Sequence, residues 1–121
     1  MTQPSTPIGV FDSGFGGLSV LRALRAQMPD ELFVYLADSA YCPYGEKDDR
    51  TIEARVHLLA GELVDRACKA LVIACNTACS VAIESLRERF DLPIVGLEPA
   101  VKPAILRSKH RRGVVLATPR T

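Results

Sequence analysis

Three polar, turn-forming stretches hold the side chains able to do chemistry. They are Asp12-Ser13-Gly14-Phe15-Gly16-Gly17, then Asp38 leading into Tyr41-Cys42-Pro43-Tyr44-Gly45-Glu46-Lys47, and Cys75-Asn76-Thr77-Ala78. Each follows a short apolar run of strand character, and in open parallel sheets the ligand crevice lies beyond the carboxyl ends of the strands. At Cys75 a strand turns into a helix, so its sulfur can face that crevice near the positive end of the helix, a setting that favours thiolates. A thiolate there can act as base or nucleophile. Asn76 and Thr77 follow at once and offer amide and hydroxyl donors to a bound carboxylate.

The same residues carry other readings. Gly14, Gly16 and Gly17 invite a dinucleotide reading, because a glycine-rich turn into a helix cradles phosphate on backbone N–H groups, and Asp38 stands where an acidic residue could hold a ribose. Against it, the third glycine of GxGxxG falls on Ser19, and Asp12 sets a negative charge beside the phosphate. A non-catalytic nucleotide- or anion-binding module is thus the competing expectation, and glycines that merely permit a tight turn are the plain one. Cys68 and Cys79 fit inert packing, and Cys42 beside Pro43 is left open. The four cysteines match neither a zinc-ligand pattern nor a CxxC redox motif, so neither metal nor disulfide is expected. His57 in mid-helix and His110 at a helix end read as solvated or dipole-complementing, which leaves a Cys–His arrangement unsupported. Lys109 to Arg112 reads as a basic helix end.

Composition narrows the classes further. The 121 residues carry 15 Lys plus Arg against 14 Asp plus Glu, a net charge of +1, so no global field gathers nucleic acid or an anionic membrane. Apolar runs such as 70–75 fall far short of the roughly 20 residues a bilayer span needs. Residues 1–21 hold no Lys or Arg, and Asp12 interrupts them, unlike a signal peptide. The expectation is a cytoplasmic domain with neither nucleic-acid nor membrane partners.

Positioning such residues calls for alternating strands and helices. Beyond a polar leader over residues 1–7, short Val/Ile/Leu-rich runs at 8–11, 32–36, 71–74, 94–96 and 113–117 predict five strands, separated by segments of helical period. The first helix starts near Gly17 and ends before Pro29, with Leu21, Leu24 and Met28 on one face. The second takes Asp48 or Asp49 as N-cap and carries a stripe of Ile52, Val56, Leu59, Leu63 and Ala67. The third spans about 77–90 with Cys79, Ile83, Leu86 and Phe90 inward. A fourth spans about 101–109 and tolerates Pro103 in its first turn. The pattern is an α/β fold, a parallel sheet with flanking helices. It reads as interrupted, because the last strand lacks its following helix.

Ile8-Gly9-Val10-Phe11-Asp12-Ser13-Gly14 with Gly16-Gly17-Leu18, then Pro43-Tyr44-Gly45-Glu46-Lys47, Ala74-Cys75-Asn76-Thr77-Ala78 and Glu98-Pro99-Ala100-Val101-Lys102-Pro103-Ala104 occur in one order and spacing. Together they resemble the amino-terminal half of the glutamate racemases, over almost the whole chain from Ile8. The aspartate racemases share the two-cysteine plan but resemble the Pro-Tyr-Gly-Glu-Lys stretch less. The resemblance implies a Rossmann-like fold of the aspartate/glutamate racemase type, incomplete here, with residues 1–97 forming most of one domain and 98–121 opening a second. It implies cofactor-independent interconversion of L- and D-glutamate for peptidoglycan, and a homodimer in the full-length form. Cys75 would be the base for the α-proton. Asp12 would assist proton movement and sit near the substrate ammonium. Ser13, Tyr44 and Gly45 would hold the side-chain carboxylate, and Asn76 and Thr77 the α-carboxylate. In the family the second cysteine, in a Cys-Thr-His motif, lies in the other half, so this stretch alone is expected to be inactive. Arg120 stands where the family usually has Gly, which leaves Thr118 and Thr121 outside the expected site. Cys79 replaces a commoner small residue as packing.

Overall fold

In the computed structural model, which describes residues 6–120, four parallel strands form one sheet in the order β2-β1-β3-β4. They are β1 (Ile8–Asp12), β2 (Phe33–Ala37), β3 (Ala70–Ile73) and β4 (Ile94–Gly96). Val10 stands opposite Tyr35 on one side and Val72 on the other, and Val72 opposite Val95. The central strands are buried on both faces, which is why they read as unbroken apolar runs.

One face of the sheet carries α1 (Gly17–Gln27), whose Val20, Leu21 and Leu24, with Met28 at the helix end, pack on Ile8, Val10 and Val72. The other carries α2 (Asp49–Asp65) and α3 (Asn76–Arg89), which bury Ile52, Val56, Leu63, Ala82 and Leu86 against Phe11, Leu71 and Ile73. Each Ile, Val, Leu or Phe side chain among them contributes about 1.5–3 kcal/mol when fully buried. Asp48 is the N-cap of α2, its carboxylate accepting from the Thr51 N–H at 2.7 Å. A short α4 (Val101–Arg107) holds Pro103 in its first turn and has no buried residue.

Two expectations are corrected. Ala67 does not continue the α2 stripe. It sits past the helix end at φ +60°, where its N–H donates to the Val64 carbonyl and the Cys68 N–H to that of Leu63. This is a Schellman closure with alanine where glycine is usual. Residues 113–117 do not form a fifth strand, and Val114 and Leu116 are 88% and 95% exposed. A strand exists only through a ladder to a neighbour, and no described strand pairs with this segment, so β-propensity alone does not order it.

Candidate active site

The sheet order reverses between β1 and β3: the chain passes from β1 to β2 on one side, and from β3 to β4 on the other. At this switch point the loops leave on opposite faces and open a crevice. Asp12, the last residue of β1, is 6% exposed, and its carboxylate accepts from the N–H groups of Ser13 at 2.8 Å and Gly17 at 2.7 Å. It thereby sets an anion at the start of α1, a favourable end for negative charge. Gly17 is required: a Cβ there would lie 2.8 Å from the Asp12 Cβ and 3.1 Å from that of Ala74. The Tyr35 hydroxyl donates to the Gly14 carbonyl at 2.7 Å and lies 3.4 Å from Asp12 Oδ2. Burial, reinforced by the Asp12 charge and hydrogen bond, pushes that hydroxyl up to about 12.

Across the switch point, Cys75 is the N-cap of α3. Its Sγ accepts from the Ala78 N–H at 3.4 Å and donates to Ser13 Oγ at 3.6 Å. If the sulfur ionises, the Ser13 hydroxyl can reverse and donate to it. Thr77 is buried, with Oγ1 2.9 Å from Thr118 Oγ1, while Asn76 is exposed and lines a groove of about 430 Å3 between α3 and residues 96–99.

The loop between β2 and α2 supplies the third wall. Tyr44 opens the 3₁₀ turn Tyr44–Glu46 and is 1% exposed, its ring 6.3 Å from that of Phe11. Its hydroxyl donates to Asp38 Oδ2 at 2.6 Å, so what Tyr44 can offer a ligand is its backbone. Burial, then the Asp38 hydrogen bond and charge, push the Tyr44 hydroxyl far up, against a smaller opposing effect of the Arg55 charge. The first N–H groups of such a turn have no partner within it, which leaves those of Tyr44 and Gly45 as candidate donors. A Cβ on Gly45 would lie 2.6 Å from Thr118 Cγ2.

Sequence reasoning overlooked Arg55 and Tyr35, and it set Thr118 outside the site on account of Arg120, which the structure corrects. Arg55 forks onto Asp38 through Nη2 and Nε at 2.7 and 2.9 Å. Burial opposes ionisation of Asp38, but the hydrogen bonds from Arg55 and Tyr44 and the Arg55 charge hold its carboxyl below the usual range. With both oxygens engaged, Asp38 has no lone role as a ribose acceptor. A buried acidic residue demanding a cation was the signal that could have found Arg55. Thr118 joins the site beside Thr77 and Gly45. Arg120 bonds to Asp49 and reaches the Gly45 carbonyl at 3.4 Å, while Thr121 lies outside the described residues.

His57 is corrected as well. It is half-buried between α2 and α3, with Nε2 2.7 Å from Ser85 Oγ and its ring stacked on Phe90. Cys68 and Cys79 are buried, Cys79 donating to the Ile73 carbonyl at 3.2 Å, and Cys42 is exposed with its sulfur near Gly14. Among the described residues no helix is long and apolar enough to cross a membrane.

The sequence profile of the Asp/Glu/Hydantoin racemase family matches residues 16–121. The chain is 54% identical over 120 residues to the glutamate racemase of Ralstonia pickettii, covering 99% of this chain and 43% of that relative. It superposes on the Thermus thermophilus glutamate racemase in complex with β-chloro-D-alanine with a TM-score of 0.77 at 46% identity, over 85% of this chain and 41% of that one. On the Escherichia coli glutamate racemase in complex with L-glutamate and activator UDP-MurNAc-Ala the TM-score is 0.82 at 42% identity, over 86% and 40%. The chain thus spans less than half the length of the relatives it matches.

Proposed function

The chain belongs to the Asp/Glu/hydantoin racemase family, and from that premise we propose that its switch-point crevice is one wall of a glutamate-racemising site. Cys75 is then one of two thiols that exchange the α-proton, and no cofactor takes part. The observation that carries this reading is the thiol of Cys75 on the N-cap of α3, with Ser13 Oγ and the Ala78 N–H as its neighbours.

An α-proton beside an ionised carboxylate is very weakly acidic. Its removal needs a base within about 3 Å and fixed donors around the carboxylate as charge develops there. Cys75 takes the proton from D-glutamate, or returns one when L-glutamate is the substrate. Asn76 and Thr77 hold the α-carboxylate. Ser13 and the backbone of Tyr44 and Gly45 hold the side-chain carboxylate. Asp12 lies near the substrate ammonium and assists proton movement at Cys75. An ordinary thiol titrates near 8.5, close enough to neutrality to be base in one direction and acid in the other. The opposing thiol comes from the part of the full-length relatives that these residues do not match. Residues 1–97 supply most of one domain and 98–121 the start of the other, in a cytoplasmic, homodimeric enzyme that provides D-glutamate for peptidoglycan.

The test is a chimera in which these residues replace the matching 120 of the Ralstonia relative, assayed in solvent deuterium. Each turnover of glutamate should place deuterium at the α-carbon, and Cys75→Ala should abolish it while Cys68→Ala does not. Turnover without α-exchange would refute the mechanism, and preference for aspartate would move the assignment to the sister enzyme.

A further inference from the structure

We propose that Arg55 and Asp38 are positioning residues for the substrate's side-chain carboxylate: Arg55, reaching from α2, locks Asp38 and through it Tyr44, so that the turn Tyr44–Glu46 keeps the pose in which its backbone can bind. The inference rests on the function proposed above and deepens it.

The geometry is that of a three-donor clamp. Asp38 is 4% exposed, and its Oδ1 accepts from Arg55 Nη2 while Oδ2 accepts from both Arg55 Nε and the Tyr44 hydroxyl. The same guanidinium lies 3.8 Å from the centroid of the Tyr41 ring. Tyr41 ends the 3₁₀ turn Ser39–Tyr41, and Tyr44 begins the next. One helical side chain therefore grips both turns of a loop with no strand or α-helix ladder of its own, the kind of segment that opens locally unless tied down. Only a planar fork meets two carboxylate oxygens at once, so lysine cannot reproduce the arrangement fully.

Charge gives the clamp a second effect. An anionic substrate group held by the Tyr44 and Gly45 backbone sits near Asp38, whose lone charge would repel it. Pairing with Arg55 cancels that repulsion where little water is available to screen it. Loss of Arg55 should weaken ground-state and transition-state binding alike, which raises KM and spares kcat.

The experiment compares Arg55→Met, Arg55→Lys and, as a control at the exposed C-cap of α2, Arg66→Met. In the chimera, Arg55→Met should raise KM for glutamate about tenfold or more with kcat within about threefold, Arg55→Lys should recover part of the loss, and Arg66→Met should change neither. In the 121-residue chain, hydrogen exchange over residues 39–47 should rise about tenfold or more in Arg55→Met while the amides of β1 and β3 keep their protection. An unchanged KM in an active chimera, or unchanged exchange over 39–47, overturns the proposal. So does a fall in kcat alongside loss of protection in β1 and β3, the mark of a merely structural role. Should Arg55→Met fail to fold, Arg55→Lys carries the same two readings. A chimera inactive before any substitution refutes the function proposed above, and the exchange measurement still decides whether Arg55 holds the loop.

Discussion

Of the four cysteines, Cys68 and Cys79 lie under apolar side chains, and burial pushes both thiols up, which keeps them protonated and unreactive. Cys79→Ala should therefore leave chimera activity intact while costing about 1 kcal/mol for the small cavity and the lost contact to the Ile73 carbonyl, read as a lower denaturant midpoint. His57 responds to pH. Burial first, and then the Arg89 charge, hold its imidazole below the ordinary 6.5, so the unfolded chain binds that proton more readily than the folded one. The stability it contributes is fully present above about pH 6.5 and is lost as pH falls through the interval beneath. Asp38 acts in the same sense at lower pH, its contribution fading as pH falls below the usual carboxylate range. Urea midpoints should drop between pH 7 and 5, and His57→Gln, whose amide can still reach Ser85, should flatten that drop.

Elements end where local geometry and tertiary neighbours agree. The α2 terminus is closed by the hydrogen bonds from the Ala67 and Cys68 N–H groups, with Leu63 and Cys68 both buried in the core. Only the alanine is out of keeping, since a Cβ in the left-handed region is strained. Ala67→Gly should stabilise the chain by about 0.5–1 kcal/mol, the relief of strain exceeding the added freedom of the unfolded chain, and thermal unfolding would check it. A lower melting temperature would mean that the closure is not strained.

At the scale of the molecule, the segment after α4 returns to the crevice. Thr118 meets Thr77, and Arg120 bridges to Asp49 and the Gly45 carbonyl from the opposite end of the sequence. Gly45→Ala should expel Thr118, because the new Cβ would collide with it, and should raise KM in the chimera together with faster exchange at 118–120. The 121 residues alone should not racemise glutamate. Among the described cysteines, Cys75 alone lies at the switch point with a site hydroxyl on its sulfur, and a single thiol serves one face of an α-carbon. Stereo-inverting exchange by the isolated chain in solvent deuterium would contradict this.

Read alone, the sequence determined the alternation of strands and helices, the inward faces of α1, α2 and α3, and the three strand ends from which the crevice is built. Those follow from periodicity and turn chemistry, which act over a few residues. Tertiary structure decided the rest. It set the strand order that brings Ser13 to Cys75 and denied residues 113–117 a pairing partner. It turned the Tyr44 hydroxyl toward Asp38 and lodged His57 against Ser85, 28 positions away. Arg55 entered the site because a buried carboxylate accepts whatever cation packing brings within reach, and Thr118 because packing sets it against Thr77 and Gly45; no local pattern in the chain records either partner.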